Sequence, residues 1–382
     1  MKIFVVDDDH LSGNLLTRTL ERFGFDANEC RDGVEALQLL EDTGPALLLL
    51  DYEMPELNGA QICEFVRKNP NPDVAEIPII LLTAHSDERK EIECLKAGAN
   101  DFVTKPVNFT VLKARIDTHS RLYELRSQLQ EKNAELEAFR EEMERDLEAA
   151  RLTQLAIIPQ KLPKIPGWDI ASTLQPLIQV GGDMYDVVEM PNKRLLLWIA
   201  DATGHGTAAA LLTTLIKLLF RHAALPEFTP AQIIRRVHRE FYSIFRGRVF
   251  MTAACVVVES GSGTVTMSGA GHPPLLIRRK DGALESIMSA SPPIGVLKNM
   301  QAEELSVQMH PGDAFLLHTD GLFDIRASGK PRLDTDSVAA LLPAPDGSAK
   351  ELLNDTMSAV LKYGNGGAFT DDVTVIVALM TA

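Results

Sequence analysis

The chain has 382 residues, which predicts two or three domains, and its hydrophobic content of 45% is sufficient for buried cores. Its net charge of -15 argues against nucleic acid as a partner, because nucleic-acid-binding proteins present patches of Lys and Arg to the phosphate backbone. Four scattered cysteines, no secretory signal and no apolar run long enough to span a bilayer predict a cytoplasmic protein with reduced thiols and no membrane partner.

Residues 1–118 alternate short apolar runs with amphipathic stretches. The apolar runs predict β-strands at Ile3–Val6, Ala46–Leu50, Ile79–Leu82 and Asp101–Val103. The amphipathic stretches predict helices around residues 11–23, 33–41, 59–68, 88–97 and 108–118. This alternation predicts an α/β domain with a doubly wound, parallel five-stranded sheet, in which ligands bind beyond the carboxyl ends of the strands.

The predicted strand ends of this domain carry a specific set of polar residues. Asp7 and Asp8 follow the strand Ile3–Val6, Asp51 follows Ala46–Leu50, Thr83 follows Ile79–Leu82, and Lys105 lies two residues beyond Asp101–Val103. Asp51 lies in the run Leu-Asp-Tyr-Glu-Met-Pro, with a glycine at position 59, and a proline follows Lys105. In this order and spacing the residues resemble the receiver domain of two-component response regulators, over about 118 residues.

The receiver resemblance implies that Asp51 accepts a phosphoryl group from a histidine kinase or another phosphodonor, with Mg²⁺ as the cofactor. The Mg²⁺ ligands that it implies are Asp7 through water, Asp8, the Asp51 carboxylate and the Glu53 carbonyl. It also implies that Thr83 and Lys105 hold the phosphoryl oxygens, and that Phe102 is the aromatic side chain that changes rotamer. The alternatives are ordinary acidic loop tips, or a degenerate receiver that is never phosphorylated.

Residues 119–156 contain no Gly or Pro and are dominated by Glu, Arg, Lys, Gln and Leu. Apolar residues recur at heptad a and d positions at Leu122, Leu125, Leu129, Leu136, Phe139, Met143 and Ala150. Lys132 and Asp146 interrupt this series, so the seam is imperfect. The pattern predicts a long helix that forms a parallel coiled coil and makes the protein a homodimer. The alternative is a single solvated helix that packs on its own domain.

Residues 157–382 form the third predicted segment, because Pro159, Pro163 and Pro166 end the helix and strands follow. The predicted strands are Leu195–Ala200, Ala253–Glu259, Thr264–Ser268, Leu275–Arg278, Ala314–His318 and Val373–Leu379. The predicted helices are 206–223, 230–245, 335–342 and 348–362. Runs of strands with helices between them predict an α+β domain, a β-sandwich of antiparallel sheets flanked by helices.

Four aspartates of this segment, Asp183, Asp201, Asp320 and Asp371, each stand at a sharp break after an apolar or extended run. Aspartates gathered at strand ends of one domain either repel one another or share a cation. Hard carboxylates without cysteine favour Mg²⁺ or Mn²⁺ over Zn²⁺.

The motifs around these aspartates are Gly181-Gly182-Asp183, Asp201-Ala-Thr-Gly-His205-Gly, Gly271-His272-Pro273, Thr319-Asp320-Gly321 and Asp371-Asp372-Val-Thr374. From about residue 152 to the end, the chain resembles the bacterial PP2C-like serine/threonine phosphatases of sporulation and stress responses. The resemblance implies a metal-dependent protein phosphatase that acts on a phosphorylated antagonist of an anti-sigma factor. No Ser/His/Asp triad is predicted.

The phosphatase resemblance implies two Mn²⁺ or Mg²⁺ ions, which Asp183 and Asp201 bridge or flank. It implies that the Ala202 carbonyl binds one ion, and that Asp320 and Asp371 complete the coordination of the second. Asp186 and Asp372 are expected to support these ligands, and His205 and His272 either contact substrate or are structural. Pro273 replaces the family's usual Asn, and Asp324 its usual Glu. Neither change removes a predicted ligand.

The segment beginning at Gly181 also resembles the GGDEF signature of diguanylate cyclases, but Met184 stands where the cyclase has its second acid.

Taken together, these motifs favour a response regulator in which phosphorylation of Asp51 controls a phosphatase through the helix at 119–156 and the joint at Gln154–Pro159. The alternative is a non-catalytic or dual-function adaptor that binds a sigma factor or its regulator.

Overall fold

The computed structural model of the chain describes residues 1–43, 46–55, 57–84, 88–204, 206–325, 331–345, 347–365 and 367–381. The chain divides into two compact units, Met1–Phe139 and Arg140–Ala382. The division falls inside one long helix, α6, which spans Phe109–Ile157.

The first unit contains a five-stranded parallel sheet in the order β2-β1-β3-β4-β5, which confirms the predicted receiver-type fold. Its strands are β1 Lys2–Val6, β2 Asp26–Cys30, β3 Ala46–Asp51, β4 Ile79–Thr83 and β5 Asp101–Thr104. Its helices before α6 are α1 His10–Arg22, α2 Gly33–Thr43, α3 Gly59–Arg67, α4 Pro72–Ala75 and α5 Glu88–Lys96. Every residue of β3 is buried, because helices cover both faces of the sheet.

Helix α6 joins the two helices predicted at 108–118 and 119–156 into one, since nothing between them breaks a helix. It ends at Ile157, two residues before Pro159, where the Lys217 ammonium donates to the Ile157 carbonyl. Most of the predicted heptad residues are exposed in the single chain, from 53% for Leu125 to 65% for Leu136. The helix therefore presents an apolar seam that the chain itself leaves open.

The second unit contains two antiparallel five-stranded sheets, in the orders β13-β10-β9-β8-β7 and β12-β11-β14-β15-β6. Their strands are β6 Trp168–Gln175, β7 Asp183–Met190, β8 Arg194–Ala202, β9 Met251–Glu259, β10 Thr264–Ala270, β11 Leu275–Arg278, β12 Leu284–Ile287, β13 Leu305–Gln308, β14 Ala314–His318 and β15 Val373–Met380. The helices are α7 Thr207–Ala223, α8 Pro230–Phe245, α9 Thr335–Leu341 and α10 Ala349–Tyr363. The predicted sandwich is thus confirmed.

The core of the second unit fixes the strands that carry its aspartates. Helices α7 and α8 pack on the first sheet, and α9 and α10 pack on the outer face of the second. Trp198 of β8 stacks on Phe220 of α7, with ring centroids 4.2 Å apart. Three residues after Trp198, β8 reaches Asp201, so this packing holds the backbone at the candidate site.

Among the described residues, the helices are too short or too polar to traverse a bilayer.

Candidate functional site

The first unit gathers its predicted site residues at the carboxyl edge of the parallel sheet. The carboxylate oxygens of Asp7, Asp8 and Asp51 lie within 4.8 Å of one another. Lys105 Nζ lies 3.0 Å from Asp7 Oδ2 and 3.0 Å from Asp51 Oδ2. Thr83 is buried at the end of β4, and its carbonyl accepts from the Lys105 N–H at 2.7 Å. Three acids and one ammonium therefore share one small site.

The charges in this cluster are only partly balanced. Burial raises the pKa of Asp51, hydrogen bonding to Lys105 opposes that rise, and the negative charges of Asp7 and Asp8 add to it. The pKa of Lys105 is raised, because Asp51 and Asp7 stabilise its charged form more than burial disfavours it. Since one ammonium faces three carboxylates, the site retains an excess of negative charge that suits a hard divalent cation.

Gly59 allows α3 to begin directly against the strand that ends in Asp51. A Cβ at this position would lie 2.6 Å from the Asp51 carbonyl oxygen. Phe102 is partly buried on β5 and packs against the core of the first unit, and Glu53 is exposed in the loop after Asp51. The loop and strand positions that the sequence predicted for these residues are therefore the observed ones.

The second unit places Asp183 and Asp201 opposite each other on the antiparallel strands β7 and β8. Like charges that face each other across a strand pair are destabilising. Burial and the charge of Asp201 raise the pKa of Asp183 well above its usual range. Burial raises the pKa of Asp201 to about 7, with further contributions from Asp320, Asp371 and Asp372. Asp201 therefore interacts electrostatically with each of the other three predicted ligand aspartates.

Asp320 follows β14 and Asp371 precedes β15, so the second sheet delivers both to the same end of the sandwich. Burial raises the pKa of Asp320, and the charges of Asp371 and Asp324 add to the shift. Asp324 is paired with Arg332, whose Nη2 lies 2.6 Å from Asp324 Oδ2. Asp320 and Asp371 thus contribute negative charge beside Asp201 that Arg332 offsets only in part.

Two threonines hold Asp183, and the sequence analysis assigned them no role. The hydroxyls of Thr319 and Thr374 both donate to Asp183 Oδ2 at 2.7 Å. Both threonines and the carboxylate are buried. Hydrogen bonds to a buried carboxylate favour its charged form and fix its rotamer. Thr319 lies in the motif of Asp320 and Thr374 in the motif of Asp371, so the motifs that carry these two aspartates also hold the carboxylate of Asp183.

Asp372 braces the loop before Asp183 through two hydrogen bonds. The Leu177 N–H donates to Asp372 Oδ1 and the Gly182 N–H to Asp372 Oδ2, each at 2.7 Å. A Cβ at Gly181 would lie 2.3 Å from Asp372 Oδ2, and one at Gly182 would lie 2.4 Å from the Ala202 carbonyl oxygen. The glycine pair is therefore required for the close approach of this loop to Asp372 and Ala202.

The end of α6 reaches the same glycine loop. Gln154 is buried, and its Nε2 donates to the Gly181 carbonyl at 2.9 Å and lies 3.3 Å from Thr213 Oγ1 of α7. Its Oε1 accepts from the Gly181 N–H at 3.4 Å. One side chain of the long helix thus holds both backbone groups of a residue two positions before Asp183.

Other predicted residues have different surroundings. Asp186 is three positions from Asp183, an odd spacing that turns its side chain to the opposite face of β7, where it pairs with Lys217 at 3.2 Å and Arg221 at 3.1 Å. Among the described residues, no hydrogen bond or ion pair joins Asp186 to a predicted metal ligand, so the structure gives no support to the expectation that it holds one. His272 is buried and bonded to Thr252 Oγ1 at 2.9 Å. Burial lowers its pKa to about 3, so its imidazole is neutral. His205 lies outside the described residues.

The converging acids fit hard divalent cations. Buried carboxylates that raise one another's pKa hold protons which a cation of higher charge displaces. The donor set consists of oxygens, as Mn²⁺ and Mg²⁺ prefer. Among the residues that the structure describes, the acids of the second unit are more widely spaced than the trio of the first.

Comparison with known families agrees with this architecture. The family described as response regulator receiver domain matches residues 3–117, and the family described as stage II sporulation protein E (SpoIIE) matches residues 191–380. The chemotaxis protein CheY1 of Helicobacter pylori is 36% identical over 119 residues, which are 31% of this chain and 94% of CheY1. The match covers almost the whole of this relative.

Two further similarities concern the second unit. The phosphoserine phosphatase RsbP of Bacillus subtilis is 27% identical over 154 residues, 39% of this chain and 38% of RsbP. The SiaA-PP2C domain of Pseudomonas aeruginosa shares the fold, with a TM-score of 0.56 and 23% identity, over 64% of this chain and 98% of that structure. The chain spans about half the length of the first curated relatives that it matches. The chain belongs to the response-regulator receiver family through its first unit, and its second unit carries a domain of PP2C fold that matches the SpoIIE family model.

Proposed function

We propose that the protein is a response regulator whose output is a metal-dependent phosphoserine/phosphothreonine protein phosphatase. The observation that carries this proposal is the convergence of Asp183, Asp201, Asp320 and Asp371, where burial and the charges of the neighbouring carboxylates raise the pKa of three of them. A protein keeps such an electrostatically unfavourable cluster where a ligand of opposite charge compensates it. The phosphatase family of the second unit and its similarity to RsbP support the same activity.

The residues that would hold two Mn²⁺ or Mg²⁺ ions are Asp183, Asp201, the Ala202 carbonyl, Asp320 and Asp371. Such ions supply a bound water of lowered pKa and a clamp on the phosphoryl oxygens. The hydrogen bonds from Thr319 and Thr374 orient the Asp183 carboxylate and favour its charged form against the effect of burial. The glycine pair and Asp372 keep the Ala202 carbonyl beside it.

The direct test uses the full chain with p-nitrophenyl phosphate and Mn²⁺. We expect phosphate release that requires the metal and stops when EDTA is added. An active, metal-dependent preparation establishes the enzyme. Absence of release from well-folded protein, with and without a phosphoryl mimic on the receiver, would refute the phosphatase proposal and favour the adaptor.

The adaptor alternative is separated from the enzyme by metal affinity. A phosphatase-like domain that has lost catalysis binds Mn²⁺ weakly or not at all. All four predicted ligand aspartates are present in this chain, which supports a competent site. Titration calorimetry with Mn²⁺ gives the answer without a substrate.

For the first unit we propose that Asp51 is the phosphoacceptor, with Mg²⁺ held by Asp7, Asp8, Asp51 and the Glu53 carbonyl. The proximity of the three carboxylates and the bridging position of Lys105 support these roles. Thr83 and Lys105 would bind the phosphoryl oxygens, and Phe102 would respond by changing rotamer. A histidine kinase or another phosphodonor would be the upstream partner.

We further propose that phosphorylation of Asp51 alters phosphatase activity through α6. The bond from Gln154 to Gly181 supports this link, because it joins the helix to the loop before Asp183. The exposed apolar seam of α6 supports a homodimer in which two helices pair. The proposed substrate is a phosphorylated antagonist of an anti-sigma factor in a partner-switching pathway, and the similarity to the phosphoserine phosphatase RsbP supports phosphoserine as the group that is hydrolysed.

We expect beryllofluoride with Mg²⁺, a phosphoryl mimic, to change kcat/KM for p-nitrophenyl phosphate by about 5- to 150-fold, which corresponds to typical coupling free energies. An Asp51→Asn variant is expected to abolish the response, since the mimic needs the Asp51 carboxylate. The measurement is the hydrolysis rate with and without the mimic in both proteins. Equal rates in the wild type would show that the receiver does not control catalysis.

The threonine pair gives a prediction about metal affinity. Replacing Thr374 with Val removes one of two hydroxyl donors to Asp183 at nearly constant volume. Loss of a hydrogen-bonding partner of a metal ligand costs about 10–100-fold in affinity. We expect the dissociation constant for Mn²⁺ to rise by that factor, and Thr374→Ser to restore most of the affinity. Calorimetry on the three proteins checks this, and a Val variant with wild-type affinity would contradict it.

A further inference from the structure

Two exposed segments of the second unit border the loop that follows Asp201. One segment is residues 246–250, which connect helix α8 to strand β9, and the other is residues 295–298. They lie together because Gly247 and Gly295 have positive φ values of 82° and 95°. A Cβ on Gly295 would lie 2.6 Å from the Val249 carbonyl oxygen, so this position accepts only glycine. The pair forms a fixed surface, here called the basic rim, with the outward residues Arg246, Arg248, Phe250, Val296, Leu297 and Lys298.

The basic rim is continuous with the candidate catalytic site. The Phe250 carbonyl accepts from both the backbone N–H and the hydroxyl of Thr203, at 3.4 Å and 3.1 Å. The next residue, Met251, pairs with Ala202 across β8 and β9 and with Ile294 on its other side. Thr203 is two residues beyond Asp201. A macromolecule whose phosphoryl group enters the site would therefore cover this rim.

The charge of the rim is opposite to that of the chain. The protein has 53 acidic residues in 382, yet neither 241–258 nor 286–302 contains an Asp or a Glu. Arg246, Arg248 and Lys298 are exposed, and they form no ion pair among the described residues. Three cations without counter-ions thus stand beside the acidic site of a chain with a net charge of -15.

The rim also exposes apolar side chains. Phe250 is 43% exposed, Val296 46% and Leu297 48%. Aromatic and aliphatic side chains bordered by arginine are typical of protein-binding surfaces. A net charge of -15 repels an anionic phosphoprotein at long range, so local cations are needed to hold it at the site.

We propose that the basic rim docks the protein substrate, by binding acidic and apolar side chains that flank its phosphorylated residue. This inference rests on the proposed phosphatase function. It specifies the substrate class of that site as an acidic phosphoprotein segment. Arg246 and Arg248 are the charged determinants, and Phe250 is the apolar one.

The test uses three phosphoserine peptides of equal length, whose flanking residues are Asp and Glu, Asn and Gln, or Lys and Arg. We expect kcat/KM to be about tenfold higher for the acidic peptide than for the neutral one, as two exposed charge pairs allow. In the double variant Arg246→Glu/Arg248→Glu, the preference should reverse toward the basic peptide. A reversed preference is a gain for one substrate and so cannot come from misfolding.

The matched control is Lys161→Glu/Lys164→Glu, which changes the net charge equally at two exposed lysines. These lysines precede β6, whose first residue, Trp168, pairs with Met380 at the end of β15 that is far from Asp372. The control should keep the acidic preference. Absence of that preference in the wild type, or its persistence in the Arg246→Glu/Arg248→Glu variant, overturns the inference alone. Failure of the wild type to hydrolyse p-nitrophenyl phosphate refutes the phosphatase proposal itself.

Discussion

Replacing Asp201 with Asn is expected to reduce Mn²⁺-dependent hydrolysis of p-nitrophenyl phosphate by about 1000-fold or more. Asp201 faces Asp183 across the strand pair and is flanked by the charges of Asp320 and Asp371, so it lies at the centre of the proposed metal site. An amide keeps the shape of the side chain and removes its charge. Loss of about 4 kcal/mol of transition-state stabilisation corresponds to the expected factor.

The same substitution is expected to stabilise the metal-free protein at neutral pH. The pKa of Asp201 rises from 3.8 to about 7 in the folded protein, chiefly through burial. A carboxyl group whose folded pKa exceeds its unfolded value stabilises the fold at low pH, and that contribution is lost as pH rises through about 4 to 7. At pH 7.5 the wild type therefore carries a penalty of about 3–4 kcal/mol that Asn avoids.

Thermal unfolding of metal-free protein at pH 5 and pH 7.5 measures this penalty. We expect the wild-type Tm to fall as the pH rises, and the Asp201→Asn Tm to change less and to exceed the wild-type value at pH 7.5. Adding Mn²⁺ should raise the Tm of the wild type more than that of Asp201→Asn, which keeps only the cation site of the first unit. Asp355→Asn, at an exposed position of α10, is the control and should follow the wild type. An Asp201→Asn protein that gains as much stability from Mn²⁺ as the wild type would contradict the assigned site.

The proximity of the strand-end residues in the first unit could be predicted, because the topology of a parallel sheet fixes where its strands end. In a parallel sheet the carboxyl ends of the strands share one edge, so Asp7, Asp51 and Lys105 meet wherever the strands pair in this order. The polar segment Asp26–Cys30 was not recognised as β2, because only Ala27 and Cys30 are buried. The sequence of β2 has no strong apolar pattern, so its pairing with β1 depends on the rest of the sheet.

The supporting contacts of the second site could not be predicted. Strand β7 begins with Asp183 itself, and the two acids in its first four residues give it a polar pattern that is typical of a loop. Thr319 and Thr374 lie in recognised motifs, yet only the folded chain shows that both hydroxyls reach Asp183. Gln154 lies in a polar helix with exposed neighbours, so its burial depends on the approach of the glycine loop and α7. Long-range packing decides each of these contacts.

Replacing Gln154 with Ala is expected to uncouple phosphatase activity from the receiver. The substitution removes the partner of the Gly181 carbonyl and of its N–H, both beside Asp183. Each buried backbone group that is left unsatisfied costs about 1–3 kcal/mol, so the loop is expected to leave its position against Asp372 and Ala202. We expect Mn²⁺ affinity to fall by about tenfold or more, and the ratio of activities with and without beryllofluoride to approach one.

Gln160→Ala supplies the matched control for this uncoupling. Gln160 follows the end of α6, and its Nε2 donates to the Leu155 carbonyl at 3.0 Å, away from Gly181. Gln160→Ala also removes one glutamine amide, but it keeps the bond between Gln154 and Gly181. The control should therefore retain both metal affinity and the response to beryllofluoride. Calorimetry and hydrolysis assays on both variants compare these quantities directly. If Gln154→Ala retains the full response, the signal does not pass through this bond, and α6 must act through other contacts such as that between Lys217 and the Ile157 carbonyl.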